Sequence, residues 1–86
     1  MDDFVKLMDV ADWALTKASK QHPQLYLEME KQHQHVRRAR EHPGEGKQHK
    51  ILEHTAGFMT AWMVRYPDLD WFLPVIERLR GHTRAR

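Results

Sequence analysis

At 86 residues the chain fits one domain that buries little surface, so a partner or a second copy would readily add stability. It has no cysteine, which excludes disulfide staples and thiolate metal sites and permits a reducing compartment. The net charge of +2 is patchy, with −3 over residues 1–30, +4 over 31–50, −3 over 51–77 and +4 over 78–86; a dedicated duplex-DNA binder carries a larger excess, and alternating patches suit a protein partner equally well.

The opening MDDFVKLMDVADWAL is acidic at its start and charged throughout, unlike a secretory signal. No apolar run approaches the length of a membrane span, so a soluble, cytoplasmic protein without a membrane partner is expected. The spacing predicts a first helix from about Asp3 to Ser19, with Phe4, Leu7, Met8, Ala11, Ala14, Leu15 and Ala18 on one face. Asp2 or Asp3 can cap it, Lys17 and Lys20 suit its C-terminal dipole, and His22-Pro23 stops it. Trp13 falls about 100° from the centre of that face, between Lys6 and Lys17. It is therefore a candidate interface residue unless a neighbouring helix covers it.

A second helix is predicted from Pro23 or Gln24 to Glu41. Its stripe of Leu25, Met29, Gln32, Val36 and Ala39 is thin and interrupted by a glutamine, so its second half should be wet. On a helical wheel Lys31, His35, Arg38 and His42 fall within about 60° of one another, while His33, Arg37 and Arg40 occupy the opposite flank. His42-Pro43-Gly44-Glu45-Gly46 reads as a loop. A third helix follows from about Lys47 to Tyr66, with the strongest apolar face in the chain: Ile51, Leu52, Thr55, Phe58, Met59, Trp62, Met63 and Tyr66. Pro67 ends it. Gly57 and Ala61, four apart and near Val64, lie off that face; an interior glycine costs about 1 kcal/mol relative to alanine, which close approach of helix one or of a second subunit would explain.

Asp68 or Asp70 opens a short last helix that tolerates Pro74 in its first turn, takes its apolar residues from Trp71, Phe72, Val75, Ile76 and Leu79, and is expected to stop at Gly81. The aromatic cluster of Trp62, Tyr66, Trp71 and Phe72 is expected to belong to the core. The resulting expectation is an all-α fold, a small antiparallel bundle of three long helices and a short C-terminal one, over a single domain of residues 1–81 with a frayed basic tail at 82–86. No internal repeat is apparent. The second and third helices are too long, and their connection too open, for a DNA-reading helix-turn-helix.

Four histidines and five Arg/Lys crowd between His33 and Lys50. His35 and His42 lie about 10 Å apart along a helix and cannot chelate together. His49 and Glu53 have chelating spacing, and His42 could approach across the loop, which makes His42, His49 and Glu53 the weak metal candidates. No cofactor is expected. Without cysteine, a nucleophile elbow or a phosphate loop, no catalytic residue is assigned and the chain is read as a non-enzyme. The leading reading is a small adaptor or inhibitor that binds a protein with an acidic surface. The alternatives are a nucleic-acid-binding regulator that uses the basic hairpin tip and the tail, and a metal-binding helical protein. Homo-oligomerisation stays open. The partner-binding candidates are Trp13, Lys31, His35, Arg37, Arg38, Arg40, Lys47, Lys50, Gly57, Ala61 and Val64, with Arg78, Arg80, Arg84 and Arg86 as a second anion contact.

Overall fold

The computed structural model describes residues 3–42 and 44–84, with the side chains of 3, 45–47, 83 and 84 outside the description. It contains helices α1 (Asp3–Gln21), α2 (Tyr26–Glu41), α3 (Glu45–Arg65) and α4 (Phe72–Arg84), and no strand among the described residues. Short 3₁₀ turns, Pro23–Leu25 and Pro67–Leu69, precede α2 and α4. Neighbouring helices pack in the cyclic order α1, α2, α3, α4 and back to α1, an antiparallel four-helix bundle.

Three helices end in the same way for the same reason. His22, His42 and Tyr66 each precede a proline, whose ring pushes the preceding residue out of helical angles. Their φ/ψ values are −130°/82°, −130°/73° and −129°/86°. Each still donates its N–H to the carbonyl four residues back, at 2.9, 2.9 and 2.8 Å. The first and third stops continue alike: Leu25 N–H bonds His22 O, and Leu69 N–H bonds Tyr66 O, both at 2.8 Å. Leu25 and Leu69 are both buried. The fold thus consists of two hairpins, each a helix, a Pro-x-Leu turn and a second helix, a repeat of structure that residue identities hide. The turns meet directly: the His22 ring packs on Tyr66 at 4.6 Å, and His22 Nε2 donates to Asp68 Oδ2 at 2.7 Å.

All seven residues of the expected α1 face are buried. On α2, Met29, Gln32 and Val36 are buried and Ala39 is half-buried. The glutamine that interrupts this stripe is satisfied by donating to Thr55 Oγ1 of α3 at 2.8 Å. Phe72, Val75, Ile76 and Leu79 complete the core from α4, and Pro74 sits in the first turn of that helix.

Three expectations need correction. Phe58, assigned to the core, is 49% exposed, and Ala56 is buried in its place. The inward face of α3 is turned away from α2 and toward α4, because α4 offers Phe72, Val75, Ile76 and Leu79 where the facing part of α2 offers Gln32 and long polar side chains. Second, α4 does not stop at Gly81 but continues to Arg84. No described glycine has the positive φ that a glycine stop uses. Third, the loop after α2 is shorter than expected, since α3 already starts at Glu45.

Candidate functional site

The two flanks of α2 meet different chemistry. On the α1 side, His33 Nε2 donates to Asp12 Oδ1, Arg37 Nε reaches the same oxygen at 3.4 Å, and Arg40 Nε pairs with Asp9. Asp9 and Asp12 are three apart on one side of α1, matching the spacing of the cations opposite. The acidic and basic stretches of the sequence therefore neutralise each other within the molecule on this side. Arg37 and Arg40, grouped above with the candidates for an anionic partner, are engaged by α1. Such exposed pairs contribute about 0–1 kcal/mol each.

Packing brings Asp12 to His33 beside Thr16, with Thr16 Oγ1 3.5 Å from the ring nitrogen that meets Asp12. A relay from hydroxyl through imidazole to carboxylate needs both ring nitrogens, and here one nitrogen takes both contacts.

Away from α1, Lys31, His35 and Arg38 have no ion pair or hydrogen bond to a described residue. A groove of about 350 Å³ is lined by Glu28, Lys31, Gln32 and His35 of α2 on one side and His54, Phe58 and Trp62 of α3 on the other, whereas Arg38 lies beside Gln34, Arg37, Glu41 and His42. Its floor is aromatic: Phe58 stacks on the buried Trp62 with ring centroids 5.7 Å apart and 24° between planes. Its one carboxylate is occupied, since Glu28 Oε1 accepts from Trp62 Nε1 at 3.0 Å and from Arg65 Nη1 at 2.6 Å. Sequence reasoning missed this groove because it placed Phe58 inside. It also missed Leu27, 79% exposed although buried Leu25 and Met29 lie two residues to either side; its wheel position, about 200° from Leu25, was the available signal.

Trp13 is 54% exposed and meets Trp71 edge-on, with centroids 5.6 Å apart. The Lys17 ammonium lies over both rings, at 5.2 Å from Trp13 and 4.6 Å from Trp71. The α1–α4 side thus covers part of Trp13 and leaves half to solvent. Gly57, Ala61 and Val64 are exposed on the outer side of α3. Helix one does not approach Gly57, since a Cβ built there meets nothing within 4 Å. Gly57→Ala is therefore expected to stabilise the isolated chain by about 0.4–1 kcal/mol, read as a higher urea midpoint at unchanged slope. A loss of stability would show that a second subunit already packs there.

Lys50 is exposed on α3, one turn before His54. The side chains of Lys47 and Arg84, and all of Arg86, lie outside the described residues. Among the described residues no three His, Asp or Glu side chains converge to hold a metal, so His42, His49 and Glu53 are not brought together as a site. No helix among the described residues is long and apolar enough to cross a membrane. Neither a protein-family model, nor a curated protein, nor a solved structure matches this chain.

Proposed function

We propose that this chain is a small, non-enzymatic adaptor or inhibitor that acts by binding another protein, in the cytoplasm that its cysteine-free sequence suits. The observation that carries this reading is the apolar surface left open by a completed bundle: Leu27 on α2 and Phe58 and Val64 on α3 are exposed, Val64 to 72%, and Phe58 shares a groove with Lys31, which has no ion pair among the described residues. Aromatic and aliphatic side chains held on rigid helices, with charges at their border, are what a protein interface uses as anchors. The recesses lined by described residues are shallow grooves rather than a water-excluding chamber, which suits a macromolecular surface better than a small substrate.

Affinity capture from the source cell with the intact chain, followed by mass spectrometry, tests this. The expected result is a retained protein that is lost when Phe58 and Val64 are both replaced by polar residues, with the circular-dichroism melt unchanged. Retention that nuclease treatment abolishes would replace this reading with the nucleic-acid one. Retention that both substitutions leave intact would move the interface elsewhere.

A further inference from the structure

We infer that the groove between α2 and α3 is the docking site for an acidic segment of the partner, a short stretch that presents Asp or Glu beside an aromatic or aliphatic anchor. This deepens the protein-binding reading and rests on it.

The argument is one of charge left over. α2 carries basic residues on both flanks, but α1 supplies carboxylates for only one of them. His33, Arg37 and Arg40 find Asp12 and Asp9. Lys31, His35 and Arg38 find none among the described residues, and neither does His54 across the groove. The carboxylate of Glu28 is fixed by Trp62 and Arg65, so it does not answer Lys31. A carboxylate only accepts hydrogen bonds, whereas an ammonium and an imidazole N–H donate. An incoming Asp or Glu supplies the acceptors that this rim lacks, in charge-assisted form.

The floor explains why charge alone is not the match. Phe58 is half-exposed and stacks on Trp62, and both line the groove together with Lys31, His35 and His54. An anchor side chain laid on this pair buries apolar area next to the charged contacts, and a groove of about 350 Å³ holds one or two such side chains. A nucleic acid would also accept from these donors and stack on Phe58. Among the described residues, Lys31 is the one permanent cation without a partner that lines the groove, with Lys50 further along α3. Strand binding draws its affinity from neutralising a run of phosphates, so the acidic peptide is the better fit.

A random peptide display library selected on the intact chain tests the assignment, with the enriched peptides then titrated by ¹⁵N NMR. The enriched peptides are expected to carry Asp or Glu next to Trp, Phe or Leu, and to shift amides at 28–35 and 54–62. Phe58→Asp, and Lys31→Glu combined with His35→Glu, are each expected to weaken binding about tenfold or more. Trp13→Gln should leave it unchanged. The charge-reversed variant is expected to regain affinity for the same peptide with lysine in place of its acids, a rescue that damage to the fold cannot produce. Enriched peptides without acidic residues, or peptides sensitive to Trp13→Gln rather than to the groove changes, overturn the groove assignment and leave protein binding standing. A selection that enriches nothing overturns both. An oligouridine that binds the groove more tightly than any selected peptide overturns the partner class in favour of single-stranded nucleic acid.

Discussion

Phe72→Ala is expected to remove about 3–5 kcal/mol of stability, most of what a domain of this size holds. Phe72 opens α4, three residues after the last residue of the second Pro-x-Leu turn, and is fully buried. Its ring takes the edge of Trp71 at 4.7 Å and 78°, joining the core to the Trp13–Trp71–Lys17 cluster outside it. Truncation loses the transfer free energy of the ring and leaves a cavity, in a chain too short to have a second core that could compensate. Leu73 is the control. It is the next residue, also large and apolar, yet half-exposed, so Leu73→Ala should cost less than about 1 kcal/mol. Urea unfolding followed by circular dichroism separates the two. Equal losses would mean that α4 is rotated from the orientation described here.

The contrast between Phe72 and Leu73 was legible in the sequence, and so was the whole buried face of α1. In both, the apolar residues fall on one narrow stripe that admits one orientation. The three proline stops were legible too, because the restriction on the preceding residue is local. Phe58 was not. The stripe of α3 is broad, with Phe58 at one edge and Ala56 at the other, and a wheel drawn for one helix cannot say which edge its neighbours cover. That was decided by α4 offering a large apolar surface and α2 a polar one. The pairing of Asp9 and Asp12 with Arg40, His33 and Arg37 escaped for the same reason. Each set is regularly spaced on its own helix, but only the docking of α1 on α2 places the sets face to face. The candidate site was therefore visible in composition, as a basic histidine-rich stretch, and hidden in its division. One flank is consumed by the fold and the other left over, and the exposed aromatic that gives the leftover flank a floor was counted as core.

The register that holds those two sides of the groove opposite each other depends on one buried polar pair, and its loss should be asymmetric. Gln32 is 5% exposed and donates to Thr55, which is fully buried. Thr55→Val is expected to cost about 1–3 kcal/mol, because the Gln32 amide loses its partner between α2 and α3. Gln32→Leu should cost less. A helical threonine can turn its hydroxyl to the carbonyl four residues back, as Thr60 does to Ala56 at 2.8 Å. The double variant, which replaces both groups by apolar ones of similar shape, should come close to the parent, leaving a coupling of about 1–2 kcal/mol in a double-mutant cycle. Stability is then restored without the bond that fixes α2 against α3. Lys31 and His35 lie within one turn of Gln32, and His54 and Phe58 within one turn of Thr55. The double variant should therefore keep its urea midpoint yet bind the selected acidic peptide more weakly than the parent. Additive losses in the two single variants would show that the pair is not coupled and that apolar packing alone sets the register of the groove.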